Sequence, residues 1–596
     1  MATSLSPPIA TTIPTAFSCP FHKSLHASTL AKPNNPHARK LSCKATSSNG
    51  DQNPSHPLDN YKLQRRNILI ALGGLSGATP FAFASPIAPP DLTQCGAPEL
   101  PEGAMPTNCC PPGSATITDF QLPPPSSALR VRPAAHLVDD EYVTKYTKAV
   151  ELMKALPDDD PRSFKQQANV HCAYCDGAYQ QVGFPSLDLQ VHNSWLFFPF
   201  HRFYLYFHEK ILGKLIGDPT FVLPFWNWDS PPGMQMPAMY SNPKSPLYDA
   251  LRDASHWPPS VVDLAFNGKD TTASTKDLVA SNLSVMYRQM VSNGKNASLF
   301  LGNPYRAGDE PDPGAGSIEN FPHGPVHVWC GDRTQPNLED MGNFYSAGRD
   351  PIFYAHHANV DRMWTVWKGL GGKRADFTDS DWLDSGFLFY DENAQLVRVK
   401  VRDCLDTKKM GYVYQDVDIP WLGSRPAPRR ARAAATLGFN TTGEAKAAET
   451  SKHKHGDGGS SGFPKTLDKI VRVVVRRPRR RRSKKEKEEE EEVLVIENIE
   501  VERDVYVKFD VYVNDEEVGE GGRQPGAAEF AGSFVSVPHK HKHKHKKRMR
   551  TGLRLGISDV LEDLGAEEDE SVVVTLVPRN GGGIVTIGGI KIELAS

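Results

Sequence analysis

The spacing of apolar and polar positions divides the chain into a helical part and a strand-rich part. Between residues 130 and 420, apolar side chains recur at helical spacing in several segments. The first segment follows three acidic residues at 139–141, which favour a helix start, and closes at Pro157. The predicted helices cover 142–156, 164–179, 200–216, a segment that starts near Pro322 or Gly324, and 350–370. We therefore expect a mainly α domain over residues 85–424, a helical bundle with long loops.

The pattern becomes strand-like towards the C-terminus. Residues 425–463 are rich in Arg, Ala, Ser, Gly and Lys and have almost no apolar periodicity, which predicts a flexible, cleavable linker. The runs that then predict strands are 470–475, 493–499, 505–513, 572–577 and 584–594, with turn signals between them. We therefore expect a C-terminal all-β sandwich or barrel over residues 464–596.

The first 84 residues predict two successive targeting signals. Residues 1–60 are rich in Ser, Thr, Ala and Pro and have no acidic residue before Asp51, which is typical of a chloroplast transit peptide. Residues 61–84 contain a twin Arg at 65–66, an apolar run and an Ala-Phe-Ala cleavage signal at 82–84. The run is short and broken by Gly and Pro, so we expect no stable membrane insertion. The order of these signals predicts a protein of the thylakoid lumen.

Composition and charge narrow the classes of function. The 68 Lys and Arg nearly balance the 70 Asp and Glu. We therefore expect no nucleic-acid partner and no attraction to an anionic membrane surface. Small neutral substrates fit this balance better. Five of the nine Cys lie between residues 95 and 175, close to a group of His, and this clustering indicates disulfides or metal chemistry.

Six His form two groups of three, each suited to hold a metal ion. The first group is His171, His192 and His201, and the second is His323, His327 and His357. His323 and His327 are four residues apart, so on one helical turn their rings point the same way. Asp361 lies one turn beyond His357, where we expect its carboxylate to accept a hydrogen bond from an imidazole N–H. Imidazole triads suit copper, zinc, iron or nickel, but two triads in one domain favour a copper pair that reduces O₂.

The segments around these His resemble the copper-binding segments of the plant polyphenol oxidases, tyrosinase-like proteins with type 3 copper sites. Residues 169–175 (Asn-Val-His-Cys-Ala-Tyr-Cys) are similar to the family's first copper-A segment, and His192 and 200–202 (Phe-His-Arg) are similar to the second and third. Residues 350–361 (Asp-Pro-Ile-Phe-Tyr-Ala-His-His-Ala-Asn-Val-Asp) are similar to the copper-B signature, which selects His357. Nearly the whole chain is covered, because the resemblance extends to 381–383 (Asp-Trp-Leu), 412–414 (Tyr-Val-Tyr) and 508–511 (Lys-Phe-Asp-Val).

This resemblance implies a catechol oxidase that converts o-diphenols to o-quinones and reduces O₂ to water. It implies two copper ions (Cu²⁺) as cofactors, copper A on the first His triad and copper B on the second, with O₂ as co-substrate. The other substrates would be small phenols. Two alternatives stay open: a tyrosinase with added monophenol hydroxylase activity, and haemocyanin-like oxygen binding.

The resemblance also implies roles for single residues near the metals. In the family, the Cys four residues after the first His forms a thioether with the second His, which maps to Cys175 and His192. Glu319 matches the carboxylate that holds a water near the metals, and Phe344 matches the gate over copper A. Gly324 stands where members that hydroxylate monophenols have Asn, so we expect diphenol oxidation to dominate.

The remaining Cys and His receive structural interpretations. The resemblance implies the disulfides Cys95–Cys110 and Cys109–Cys172, and it leaves Cys330 and Cys404 as buried thiols. We interpret His208 and His356 as packing residues. The alternation of Lys and His at 539–547 is interpreted as a solvated strand or loop rather than a metal site.

The tethered β domain predicts a latent pro-enzyme. We expect residues 464–596 to shield the active site until the linker is cut, which makes an activating protease a partner of this protein. For the assembly we expect a monomer or a weak homo-oligomer.

Overall fold

The computed structural model describes residues 85–125, 128–426, 462–540 and 548–596. The predicted targeting signals at 1–84, most of the predicted linker and residues 541–547 lie outside the described residues. Among the residues that are described, no helix combines the length and the apolar composition that a membrane span needs.

The part of the chain before the linker is mainly helical, as the apolar spacing predicts. Its helices are α1 (Asp140–Lys154), α2 (Phe164–Cys175), α3 (Phe197–Leu215), α4 (Thr275–Tyr287), α5 (Ala297–Phe300), α6 (Gly324–Cys330), α7 (Ile352–Gly369) and α8 (Ser380–Leu383). Asp139 caps α1, because its side chain accepts a hydrogen bond from the Tyr142 N–H. Helix α2 ends at Cys175 rather than at the predicted residue 179, since Gly177 takes a φ of 70° that ends a helix.

The predicted fourth helix is not one regular helix. A π-helical turn spans Glu319–His323, and inside it Phe321 has an extended backbone with φ −156° and ψ 114°. Helix α6 starts only after this kink, at Gly324. Glu319 and His323 therefore do not lie on one regular helix, because Phe321 and Pro322 interrupt the turn.

Short strands tie the irregular segments to the helices. The strands are β1 (Ile117–Asp119), β2 (Arg130–Arg132), β3 (Gln180–Gln181), β4 (Phe184–Asp188), β5 (Gly386–Tyr390), β6 (Leu396–Lys400) and β7 (Tyr412–Tyr414). They form the sheet β1-β6-β5 and the pairs β2-β7 and β3-β4. The parallel pairing of β2 with β7 brings the start and the end of the helical part together.

The C-terminal part is built from two β-sheets, which confirms the predicted fold class. Its strands are β8 (Lys465–Thr466), β9 (Val471–Arg476), β10 (Glu491–Glu502), β11 (Val507–Val513), β12 (Phe530–Ser536), β13 (Arg548–Gly556), β14 (Ser571–Asn580), β15 (Thr586–Ile587) and β16 (Gly589–Ala595). One sheet has the order β13-β10-β15-β8 with β16 also on β10, and the other has the order β12-β11-β14-β9. Two short helices, α9 (Lys484–Glu489) and α10 (Ser558–Asp563), complete this part.

Strand β12 links the C-terminal part to the helical core. Every residue of β12 is buried. Phe534 belongs to the apolar core of the β part, whereas Val535 and Val537 pack in the apolar core of the helical part. Because neighbouring side chains of a strand point to opposite faces, β12 and the residue after it bury both faces between the two parts.

Candidate metal centre

The first three His converge from two helices and a loop. Helix α2 carries His171, α3 carries His201, and His192 lies in the segment between them. The ring centroids of His171 and His192 are 5.1 Å apart, those of His192 and His201 are 5.1 Å apart, and those of His171 and His201 are 5.7 Å apart. The structure therefore brings the first predicted triad together.

The second three His converge beside the first. The ring centroid of His323 lies 4.5 Å from that of His327 and 5.1 Å from that of His357. The His327 and His357 centroids are 5.3 Å apart. His357 also stacks on His201 of the first triad, with 4.2 Å between centroids and 11° between planes. The two triads thus form one continuous cluster.

Backbone carbonyls determine the tautomer of four of these rings. The Nδ1–H groups of His171, His201, His323 and His327 donate to the carbonyls of Phe344, Phe197, Glu319 and Met341, over 2.7 Å, 2.8 Å, 2.9 Å and 2.8 Å. Such a bond leaves Nε2 with a free lone pair. The Nε2 atoms of His171, His201 and His323 and both ring nitrogens of His192 have no hydrogen-bond partner among the described residues.

Burial keeps all six rings in the neutral form that metals bind. It lowers the pKa of each imidazole below its usual value, to about 3 for His171 and about 4 for His327. At His192, His201, His323 and His357, neighbouring imidazoles lower the pKa further. Buried, neutral imidazoles with unpartnered nitrogens are a donor set that fits two metal ions of the copper type.

His356 also reaches the second triad. Its ligand atom lies within 4.8 Å of those of His323, His327 and His357. Its ring stacks over His323 at 5.4 Å and lies 6.0 Å from Trp228. His357, by contrast, faces the first triad through His201. His357 lies between the two triads, whereas His356 does not contact the first triad in the ring contacts given above. This position favours His357 over His356 as the ligand, as the sequence resemblance also implies.

Two further predicted residues lie against the first triad. The ligand atoms of Cys175, His171 and His192 lie within 4.8 Å of one another, and the Cys175 thiol is free and buried. The Phe344 ring stacks on His192, with 4.0 Å between centroids and 23° between planes. Cys175 is thus placed for a bond to His192, and Phe344 covers the first triad.

Glu319 is held close to the centre by its backbone and its side chain. Its carbonyl accepts the His323 Nδ1–H bond, and its Oε1 accepts a hydrogen bond from the backbone N–H of Asn193. Its Oε2 has no partner among the described residues. Burial raises the pKa of this carboxyl well above its usual value. Sequence reasoning missed Asn193, whose side chain also binds Asp312.

The predicted role of Asp361 is corrected by the structure. Its carboxylate accepts hydrogen bonds from Arg202 Nε at 2.5 Å and Tyr412 Oη at 2.8 Å, and also from Tyr414 and Arg132. No hydrogen bond joins it to an imidazole in the described part of the chain. The reason is electrostatic, because two buried guanidinium groups need a counter-charge.

Disulfides attach the loop-rich segment before α1 to the helical core. The structure contains the bonds Cys95–Cys110 and Cys109–Cys172, and the second of these joins the segment to α2. Cys330 and Cys404 are free and buried, as expected from the sequence.

Residues that follow β12 cover the first triad. The Phe344 N–H donates to the Pro538 carbonyl over 3.2 Å. The His539 ring stacks on the outer face of Phe344 at 5.1 Å and 25°, so His192, Phe344 and His539 form three layers. The Lys540 N–H donates to Asp176 Oδ1 over 3.0 Å. His539 is buried, so its assignment to a solvated loop was wrong; the Phe344 stack explains its burial.

The fold and the site together define a protein with a buried cluster of His suited to bind metal ions in a helical core, covered by a β domain. The chain matches the family model "Common central domain of tyrosinase" at 161–370. It also matches "Polyphenol oxidase middle domain" at 376–427 and "Chloroplastic Polyphenol Oxidase C-terminal domain" at 463–594. A chloroplastic polyphenol oxidase of Malus domestica is 64% identical over 606 residues, covering 100% of both chains.

Solved structures agree with these matches. The structure of latent apple tyrosinase covers 81% of this chain and 100% of its own, with 66% identity and a TM-score of 0.73. The structure of Grenache (Vitis vinifera) polyphenol oxidase covers 57% of this chain and 100% of its own, with 62% identity and a TM-score of 0.56. The chain belongs to the plant polyphenol oxidases of the tyrosinase family.

Proposed function

We propose that this protein is a latent catechol oxidase that oxidises o-diphenols to o-quinones and reduces O₂ to water. The observation that carries the proposal is the pair of adjacent triads, built from six buried, neutral imidazoles, five of which have a ring nitrogen without a partner among the described residues. His171, His192 and His201 would hold copper A, and His323, His327 and His357 would hold copper B. Bound copper would supply the transfer of two electrons from the diphenol to O₂, one through each ion.

The residues around the triads would organise the reaction. The carbonyl bonds at Nδ1 keep four rings oriented, so each would offer Nε2 to a metal ion. The Nε2 atom of His327 lies 3.2 Å from that of His357, and both would turn to copper B. A thioether between Cys175 and His192 would restrict the His192 ring further. Burial of these groups excludes bulk water, which protects the reactive centre from side reactions.

Glu319 and Phe344 would act on the substrate. The unpartnered, buried Oε2 of Glu319 is suited to hold a water that takes the phenolic proton. The Phe344 ring, already stacked on His192, offers a flat apolar surface for a substrate ring.

Gly324 favours diphenols over monophenols. It has no side chain with which to orient a water beside copper B, unlike the Asn of monophenol-hydroxylating members. Tyrosinase activity is the second candidate function, and monophenol turnover of the cut enzyme would distinguish it. A haemocyanin-like oxygen carrier would bind O₂ without oxidising catechol.

Latency and location complete the proposal. His539 and Pro538 contact Phe344 and would close the path to the first triad. Cleavage by a protease in the linker at 425–463 would release the β domain at 464–596. Relatives are named chloroplastic, and the predicted signals at 1–60 and 61–84 would direct this chain through the chloroplast to the thylakoid lumen.

The proposal is tested by catechol-dependent O₂ uptake before and after limited proteolysis in the linker. Copper content is measured on both samples. We expect little uptake by the full-length protein and strong uptake after the cut, at equal copper content. Equal rates at equal copper would refute shielding, and no uptake by a cut sample with two copper ions would refute the oxidase.

A further inference from the structure

Strand β12 presents an unpaired backbone edge to the metal centre. It is the terminal strand of the sheet β12-β11-β14-β9, so one side of its backbone pairs with β11, and no strand in the described part of the chain pairs with the other side. Asn320 fills this side. Its Nδ2 donates to the Ser533 carbonyl, and its Oδ1 accepts from the Val535 N–H over 2.9 Å. One side-chain amide thus reproduces the donor and acceptor of a neighbouring strand.

The side chains that face the centre are small and β-branched. A Cβ atom on Gly324 would lie 2.7 Å from Val535 Cγ1 and 3.3 Å from Val537 Cγ2. Phe534, directly before Val535, points the other way and stacks on Phe509 at 5.1 Å in the core of the β domain. The helical part therefore contacts the strand through its backbone and through alternate side chains only.

The same extended segment continues across the first triad. Pro538 accepts the Phe344 N–H bond, His539 stacks on the Phe344 ring, and the Lys540 N–H donates to Asp176. Eight consecutive residues, 533–540, thus provide every contact described above with Asn320, Gly324, Phe344 and Asp176.

We propose that the mouth of the metal centre is a binding site for an extended peptide, formed by Asn320, Gly324, Phe344 and Asp176. Its ligand is a strand with β-branched residues at two alternate positions, followed by Pro and a flat ring. The β domain presents such a strand, but a short peptide of this chemistry binds the site without the rest of that domain. The inference rests on the proposed latent enzyme, because it identifies the segment that would confer latency.

The test uses the linker-cut protein after the β domain has been separated from it. A catalytic part of this length is the whole chain of the solved Grenache relative, which covers 57% of this chain. The probe is a fluorescein-labelled peptide of residues 532–540, Gly-Ser-Phe-Val-Ser-Val-Pro-His-Lys. Fluorescence anisotropy measures its binding, and O₂ uptake with catechol measures inhibition in parallel. We expect saturable binding and inhibition over the same concentrations.

Two peptide variants form a matched pair. Val535→Pro removes the backbone N–H that donates to Asn320 Oδ1. We expect this peptide to bind at least about tenfold more weakly. Phe534→Ser changes a side chain that faces only the β-domain core, and we expect unchanged affinity. On the protein, Asn320→Asp places an acceptor against the Ser533 carbonyl and should weaken binding by at least about tenfold. The control Asn242→Asp, in an exposed turn, should bind like the wild type.

Anisotropy does not depend on turnover, so the two proposals fail separately. A catalytic part that binds the peptide but does not oxidise catechol supports the peptide site and refutes the oxidase. A catalytic part that oxidises catechol but binds no peptide below about 1 mM overturns the peptide site. Equal affinity of the wild-type and Val535→Pro peptides also overturns it, and this result does not depend on whether Asn320→Asp folds.

Discussion

Substitution of Gly324 should weaken the docking of the β domain. In Gly324→Ala the new methyl would lie 2.7 Å from Val535 Cγ1 and 3.3 Å from Val537 Cγ2. The first distance is too short for a carbon contact, and Val535 lies in a strand whose residues are all buried, with the buried Val537 directly after it. Overpacking of this kind costs about 2 kcal/mol. Because the extra methyl clashes only in the docked state, the undocked fraction should rise about 30-fold, at about 1.4 kcal/mol per tenfold.

The assay is the ratio of catechol oxidation by full-length protein to that by linker-cut protein of the same variant. This ratio cancels any direct effect of position 324 on copper B. We expect it to rise about 30-fold in Gly324→Ala, until the full-length protein is fully active. Adding Val535→Ala removes the Val535 methyl that clashes with the new methyl at position 324. The double variant should therefore show a smaller rise in the activity ratio than the two single substitutions predict when their effects are added. An unchanged ratio in Gly324→Ala would show that β12 does not contact Gly324 in solution.

Three further predictions concern the metals, the covalent link and pH. His327→Ala should lose one of two copper ions while the circular dichroism spectrum is kept; metal analysis showing both ions would contradict the ligand assignment. A Cys175–His192 thioether should remove two hydrogens beyond those lost to disulfides, and a peptide map should keep both residues joined after reduction; alkylation of Cys175 in the copper-loaded protein would refute the link. Asp559 pairs with Lys295 over 2.7 Å across the docked parts. Burial opposes ionisation of Asp559, but Lys295, the Ser292 hydroxyl and Arg425 together lower its pKa. A carboxyl with a pKa depressed by docking stabilises docking above its undocked pKa of about 4 and loses this effect as pH falls through its docked pKa. Acid exposure below that docked pKa should therefore activate the full-length protein, and Asp559→Asn should raise its activity at pH 7; an Asp559→Asn variant as latent as the wild type would contradict this.

The docked parts meet through polar contacts and through buried apolar side chains. Lys295 binds Asp559, Arg503 binds Asp312, and Asn293 donates to the Ala531 carbonyl. Phe530, Val535 and Val537 of the β part pack in the apolar core of the helical part. Separation of the two parts would therefore expose apolar surface on both of them.

Local pattern was sufficient to predict four of the longer helices and the His triads, but it missed α4. Regular apolar spacing and helix caps predict α1, α2, α3 and α7, and spacing within one turn predicts that His323 and His327 point together. Strand β12 was missed because Ala, Gly and Ser give it a weak strand pattern and tertiary packing buries both its faces. Strand β13 was missed because Arg alternates with its apolar residues.

Contacts between distant segments could not be predicted from local pattern. Asp361 has the spacing of a residue that orients His357, yet Arg202 and Arg132 attract its carboxylate from elsewhere in the chain. His539 lies in a charged run, yet it is buried because Phe344 offers it a ring. In both cases the partner lies more than a hundred residues away.

The stoichiometry of O₂ consumption by the linker-cut protein tests the central claim most directly. The protein should first be shown to contain two copper ions per chain. Oxidation of o-diphenols to o-quinones with reduction of O₂ to water consumes one O₂ for every two catechols and releases no hydrogen peroxide. We predict this ratio, and we predict that removal of copper abolishes the uptake. One O₂ per catechol with accumulation of hydrogen peroxide, or uptake that survives complete removal of copper, would contradict the account.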